Sequence, residues 1–540
     1  MSARARVVSV IRSFAVIVAM GTIVMLPGEP MAALTVARQL PVRGPAVTSV
    51  SEPNDLLVHA DSLARARRYN EAITVLQQYR TLAPDSVQGV VALARTYAMA
   101  GRLAECVAAY ALATQMRPAD FELRIAHATA LAWAGKYDEA VHAFAHTVGG
   151  PPAVERAGQR GLASVAGWRG DHAEALRRWE QIVESDARDL EAWVGLSNTR
   201  RWSGDARGAL VAAQRAAALQ PLNSEAQRAL QIARDVLTPS SDPQILQIHD
   251  SDGNRSQFTT ASARVVTPWS GAVTVYASHR DAEFLAAQST AQTLRGVMSS
   301  SVGAGGRVAL RAEVGATRLH GSRSSAEAAA TRIEPIVALG GALRVSPRLT
   351  IGATASRRPF DEVALLIVNG ITTNAVEANA ELRLRGASTL QADAGVTRFE
   401  GGAPNTRQHG TIKVAVAARR WLSVGGTLAH QSNSGTPRDG YFAPARYDLA
   451  EGVARLGRER ETGVMAALEA GLGRQRIAFT PSSVLTQATQ RLSATLTWRP
   501  TPRMSVSALG DAGRMASPFT QAAGTYEYLT LGLRARIPLR

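Results

Sequence analysis

The spacing of apolar residues changes once along this chain, near residue 240. Before it, the pattern is of helical repeats about 34 residues long; after it, apolar residues recur at every second position, the period of strands. Leu529, Leu531, Leu533, Ala535 and Ile537 share one face, and Thr530, Gly532, Arg534 and Arg536 share the other. Val376, Ala378, Ala380, Leu382 and Leu384 likewise oppose Glu377, Asn379, Glu381, Arg383 and Arg385. Ile412, Val414, Val416 and Ala418 oppose Thr411, Lys413 and Arg419, and Leu492, Ala494, Leu496 and Trp498 oppose Arg491, Ser493, Thr495 and Arg499. A water-soluble sandwich would turn the charged faces outward. A closed membrane barrel turns the apolar face to lipid and the charged face to its lumen, which permits arginine on strand after strand.

The connections favour the barrel. Tight turns at 267–271, 345–349, 384–389, 418–423, 457–463 and 499–504 alternate with longer stretches, read as polar, at 357–373, 400–407, 431–446 and 511–525. Outer-membrane barrels alternate short turns and long loops in this way. From Ile245 to Ile537 the pattern predicts about sixteen strands, at roughly 18 residues per strand and connection. An even count puts both barrel ends on one side of the membrane. Trp269, Trp421 and Trp498 fall at or beside the short turns, where interfacial aromatics sit.

In the helical part, Gly101, Gly135, Gly170 and Gly204 are spaced 34, 35 and 34 residues apart. Five positions after each comes a small residue, Cys106, Ala140, Ala175 or Ala209, where two helices of a hairpin must approach closely. An earlier copy places Arg67 and Ala72 at these positions. Four positions further on stand Leu76, Tyr110, Phe144 and Trp179, and Pro84, Pro118 and Pro221 stop three of the second helices. This is the tetratricopeptide period, with about five units. Such repeats are interaction surfaces and do no chemistry. Trp133, Trp168 and Trp202 each precede a repeat glycine by two residues. They either line the concave face as an aromatic ladder for a sugar or peptide, or pack between repeats. Cys106 reads as a buried thiol at an alanine position.

The fold class is therefore multidomain α + β: an N-terminal α-solenoid of tetratricopeptide repeats, then a C-terminal antiparallel transmembrane β-barrel. Residues 1–33 read as a signal peptide, with Arg4, Arg6 and Arg12 before an apolar run from Phe14 to Leu26 that is too short to span a bilayer. Residues 34–54 read as a disordered leader, 55–237 as the solenoid, 238–243 as a linker and 244–540 as the barrel. The single cysteine excludes an intramolecular disulfide. A net charge of +16 raises nucleic acid as a partner. The arginines are scattered singly, aromatics are few and the leader directs the chain to export, so that reading is set aside. His249, His279, His320, His409 and His430 stand in no nucleophile or metal spacing, and there is no phosphate loop or dinucleotide fingerprint. No enzymatic activity, cofactor or metal is expected.

Candidate lumen residues are Arg307, Arg311, Arg383, Arg385, Lys413, Arg419, Arg491, Arg499, Arg534 and Arg536. An excess of one sign would favour an anionic polymer; alternatively these arginines pair with Glu313, Glu377, Glu381 and Glu469 and hold the lumen together. DSDGN at 250–254 and GYFAPARY at 440–447, with the order of domains, resemble the tetratricopeptide-plus-barrel family of exopolysaccharide export proteins. Its members include the outer-membrane subunit of cellulose synthase, the poly-N-acetylglucosamine export porin and the YaiO-type outer-membrane proteins. The resemblance implies an outer-membrane, porin-like barrel with a periplasmic solenoid that contacts envelope or secretion proteins, outer-membrane lipid and a polysaccharide. Tyr441, Phe442 and Tyr447 either stack on sugar rings at the exit, belong to a loop folded inward as a plug, or simply pack within their loop. The alternative is an outer-membrane-anchored scaffold with a closed barrel, whose repeats recruit envelope proteins.

Overall fold

The computed structural model describes residues 53–147, 150–267, 271–324, 326–384, 388–419, 421–435, 441–457, 462–480, 482–516 and 525–539. The signal-peptide reading, most of the leader, Trp269 and Arg385 lie outside them. The chain divides into two compact units between Trp168 and Arg169.

The first unit is an array of antiparallel helices: α1 (Pro53–Arg65), α2 (Tyr69–Leu82), α3 (Val87–Met99), α4 (Leu103–Met116), α5 (Phe121–Trp133), α6 (Tyr137–Ala145) and α7 (Pro152–Arg169). The hairpin turns need a left-handed residue, which glycine adopts without Cβ strain. Gly101 and Gly135 sit at φ 72° and 75°, and Arg67 takes the same conformation at φ 61°. Ala72, Cys106 and Ala140 are fully buried where the paired helices meet. Asp120 caps α5 through its carboxylate, which accepts from the Glu122 and Leu123 amides, a device contributing about 1 kcal/mol. The sequence pattern missed a second rule of the packing. Gly89 lies against the Tyr79 ring and Gly161 against the Phe144 ring, so closely that a Cβ would overlap the aromatic carbons.

The second unit opens with α8 (His172–Ser185), α9 (Leu190–Trp202), α10 (Ala206–Leu219) and α11 (Ser224–Leu237). They continue the same rules: Ala175 and Ala209 are fully buried, and Gly195 lies on the Trp179 ring. Asp171, Asp189, Asp205 and Asn223 cap the four helix starts. A two-residue strand, Ser240–Ser241, then leads into a closed barrel of 16 antiparallel strands.

These are β1 (Gln244–Asp250), β2 (Arg255–Val266), β3 (Gly271–Phe284), β4 (Ala287–Val302), β5 (Val308–Ser322), β6 (Ala330–Arg344), β7 (Leu349–Pro359), β8 (Thr372–Arg383), β9 (Thr389–Glu400), β10 (Asn405–Arg419), β11 (Leu422–Asn433), β12 (Arg446–Gly457), β13 (Gly463–Thr480), β14 (Ser483–Thr501), β15 (Met504–Ala516) and β16 (Thr525–Pro538). A short helix, α12 (Ala364–Asn369), lies between β7 and β8. Each strand pairs with the next, and β16 closes on β1 with Leu531 opposite Gln247. Closure leaves no unpaired edge, as a lipid environment requires.

Leu294, Val314, Leu339, Val376, Leu428, Leu472 and Leu533 are exposed on outward rows. A belt of exposed aliphatic side chains around a closed barrel is a lipid-facing surface. Trp421 and Trp498 are also exposed, beside the short turns. The alternation predicted from the sequence holds only in part. At one end every connection is short, including 303–307, which the turn pattern did not mark; at the other end 323–329, 360–371, 434–445 and 517–524 are longer, but 251–254, 285–286, 401–404 and 481–482 are as short as the turns.

Candidate functional site

Inward-facing rows of the barrel carry the polar residues, and they are organised around buried carboxylates. Glu313 on β5 has a side chain only 2% exposed; it accepts from Arg295 of β4 at 2.6 Å and from Arg311 at 3.4 Å, with Arg358 of β7 at 3.9 Å. Arg295 also lies over the Tyr276 ring at 4.5 Å. Elsewhere on the wall, Arg491 on β14 donates to Glu469 at 2.8 Å and faces Glu451 at 3.6 Å. A carboxylate placed among guanidinium groups satisfies charges that a partly buried wall could not otherwise hold.

At the loop end a segment of the chain packs against the inner wall. Residues 360–371 fold inward, and Ala364, Leu366, Ile367 and Ile371 are fully buried. Ala364 and Ile367 pack against Ala282, Phe284, Ala287, Ala291 and Leu319 of β3, β4 and β5. Leu366 and Ile371 pack instead with Phe399, Tyr441 and Ala443. The Tyr441 ring stacks on Phe399 at 4.3 Å, and Asn405 Nδ2 donates to the Tyr441 hydroxyl at 3.2 Å. Arginines tie this insert to the wall: Arg280 donates to the Glu362 carbonyl, Arg332 to the carbonyls of Val368 and Asn369, and Arg407 to the Phe442 carbonyl at 2.7 Å.

At the short-turn end, helices α8–α11 cover the rim. Gly305 and Gly306 of the β4–β5 turn, both at φ 66°, press on Ala173 and on the Ser203 carbonyl. Arg344 Nη1 donates to His172 Nδ1 at 3.0 Å, and Arg503 of the β14–β15 turn pairs with Asp235. The Ser240–Ser241 strand bridges Ile537 and Pro538 of β16 to Ala263 and Arg264 of β2. Burial, with Arg344 and Arg383 nearby, pulls His172 down to about 4, so the ring is neutral at ordinary pH. Beneath α9–α11 remains a cavity of about 480 Å³ lined by Arg201, Arg264, Arg311, Ser299, Ser301 and Asn379.

Of the candidate lumen residues, Arg311, Arg383, Lys413, Arg491, Arg499, Arg534 and Arg536 fall on inward rows. Two do not. Arg307 follows the short 3-10 turn Ala304–Gly306 at the rim and is exposed. Arg419 is set opposite Leu422 by a register shift after Ala417, which moves it to the outward row. Arg280, Arg295, Arg358 and Arg407 were missed. Residues 357–373 were read as polar, yet they contain Val363, Ala364, Leu365, Leu366, Ile367 and Val368, an apolar run that signals an insert seeking a core.

Tyr441 is buried and Phe442 packs edge-on against Tyr447 at 5.4 Å; Tyr447, read from the sequence as a loop residue, is instead the second residue of β12, paired with Ile477 on the inward row. The DSDGN motif is a closed turn. Asp250 accepts from the Asp252 and Asn254 amides and from the Tyr526 hydroxyl. Trp133, Trp168 and Trp202 are 50, 43 and 37% exposed, so none is a core residue of its own unit. Among the described residues no group of three or more His, Cys, Asp or Glu is placed to hold a metal.

No family model and no curated protein matches this chain. Among solved structures, one titled a bacterial polysaccharide outer membrane secretin is 14% identical and covers 56% of this chain and 98% of its own, with a TM-score of 0.43. YrrB, described as a TPR protein with an unusual peptide-binding site, is 15% identical over 33% of this chain and 90% of its own, at a TM-score of 0.25. TTC0263, a thermophilic TPR protein of Thermus thermophilus, is 15% identical over 34% of this chain and 98% of its own, at 0.29.

Proposed function

We propose that the protein is an outer-membrane conduit through which an exopolysaccharide leaves the cell, closed at rest by its own inward-folded loop. The short-turn end then faces the periplasm, with the helices, and the long loops face outside. The observation that carries this reading is the lumen itself: a closed barrel of 16 strands with arginine-rich inward rows, stoppered at one end by a separable insert. The Arg295–Glu313, Arg383–Glu381 and Arg491–Glu469 pairs brace the wall, a role an anchor would share, so the reading leans on the inward basic residues outside those pairs, Lys413 and Arg536 among them. The resemblance to the tetratricopeptide-plus-barrel exporters supplies the polymer class. The repeats of the first unit would recruit envelope partners, with Trp133 and Trp168 available for contact. No step of this function calls for catalysis, a cofactor or a metal.

A second reading, a closed anchor whose repeats act as a scaffold, is favoured by the apolar packing of the insert. Single-channel conductance of the full-length protein in a planar bilayer separates them. The conduit reading expects a mostly closed wild type and persistent openings when Leu366→Asp and Ile367→Asp loosen the insert. A doubly substituted protein that inserts as a folded barrel and never conducts would establish the anchor.

A further inference from the structure

The cavity beneath α9–α11 is lined by arginine without a carboxylate. Three arginines line it, Arg201 from the end of α9, Arg264 from β2 and Arg311 from β5, and no carboxylate does. Arg311 has Glu313 within 3.4 Å. Arg201 and Arg264 form no ion pair among the described residues, and Arg201 Nε is buried without a hydrogen-bond partner. Arg344, on an inward row of β6, adds a further positive group at the same rim, and Arg383 of β8 lies on an inward row nearby with Glu381 at 3.5 Å. The space, about 480 Å³, falls in the range of small-ligand sites, and Ser299, Ser301 and Asn379 add hydrogen-bonding groups to its wall.

Half-buried guanidinium groups gathered around one cavity repel one another unless an anion joins them, so arginines without carboxylate partners around a cavity mark where the anion goes. Rings of arginine or lysine are the usual device of anion-conducting pores. Planar guanidinium forks suit carboxylate geometry in particular. We infer that this vestibule is a binding site for the anionic substituents of a polymer, a carboxylate-bearing glycan, as it enters the barrel from the helix side. The inference rests on the lumen being a polymer path and names the class of polymer that path takes.

The test is equilibrium binding of fluorescent hexagalacturonate to the full-length protein in detergent, beside neutral maltohexaose, galacturonate monomer and inorganic phosphate as competitors. The expected result is saturable hexagalacturonate binding, little maltohexaose binding, and a loss of about tenfold for each of Arg201→Gln and Arg264→Gln. Arg318→Gln, on an outward row, should bind as wild type, and the heat-modifiable gel band of each variant reports that the barrel is folded. Equal affinity for maltohexaose would overturn the inference, as would binding indifferent to both arginine substitutions. Displacement by phosphate or monomer as effective as by the hexamer would assign the site to a small anion and also overturn it. The pore reading fails separately: if hexagalacturonate binds as expected while the loosened-insert variant never conducts, the anion site stands and the conduit falls.

Discussion

The two ends of the barrel carry opposite kinds of contact. At the loop end, α12 and the 441–445 segment meet the wall as a protein core does, with Leu366, Ile367, Ile371 and Phe399 all but removed from solvent. At the short-turn end, α8–α11 meet the rim through glycine turns, one histidine–arginine contact and one aspartate–arginine pair, and leave a basic cavity behind. An apolar stopper holds water and ions out without reference to what passes. A polar cover discriminates by charge and is sensitive to solution conditions. On the proposed conduit reading, the loop end is suited to gating and the short-turn end to selection.

The comparison breaks most visibly at the loop end. Leu366→Asp with Ile367→Asp places two carboxylates where the described surroundings are apolar, at a cost on the order of 5 kcal/mol or more to the closed insert. The expected outcome is persistent conductance with barrel assembly intact. At the other end, Gly306→Val sets a Cβ against the Ser203 carbonyl from a left-handed backbone, costing about 3 kcal/mol of docking. Hydrogen exchange in α8 and α9 should rise while the strands stay protected; unchanged exchange would show that the rim contact is incidental. Between the ends, Glu313→Gln leaves Arg295, Arg311 and Arg358 without their shared carboxylate. All three arginines are partly exposed, so the loss is about 2 kcal/mol, read as a lower thermal midpoint of the barrel.

Much of this was legible because lipid imposes a uniform demand. Leu529, Leu531 and Leu533 must alternate with polar residues whatever their partners, and the count of strands follows from that period and the alternation of turns. Repeat glycines were legible for a similar local reason, since the hairpin turn needs a left-handed residue; Arg67 shows that position, rather than glycine itself, is the signal. What the period could not carry was anything set across the barrel. Arg295, Arg311 and Arg358 converge on Glu313 from three strands, and no spacing in the chain announces it. Arg419 was lost to one bulge residue, because a shift by one exchanges inside for outside. The insert had a signal: a six-residue apolar run, Val363 to Val368, inside a long loop has nowhere to go in water except back into the protein.

The smallest expected effect is a dependence of the short-turn end on pH. Arg344 donates to His172 Nδ1, so the ring is held as the neutral acceptor, with its other proton on Nε2. Arg383 adds a second positive charge, and Asp171 opposes both only weakly. The docked ring therefore titrates near 4, against 6.5 when freed. Between those two values the undocked state binds more protons than the docked one, so docking strengthens as pH rises through the window. It is complete above about 6.5 and weakens as the solution is acidified toward 4. Hydrogen exchange at residues 172–174 and 303–307, corrected for its intrinsic pH dependence, should increase on acidification in the wild type. His172→Gln keeps a hydrogen-bond acceptor without a proton to gain, and its exchange should be flat across the same range. The Leu366→Asp and Ile367→Asp substitutions should leave this pH response unchanged. A response shared between the two ends would mean that they are coupled, and that selection and gating belong to one device.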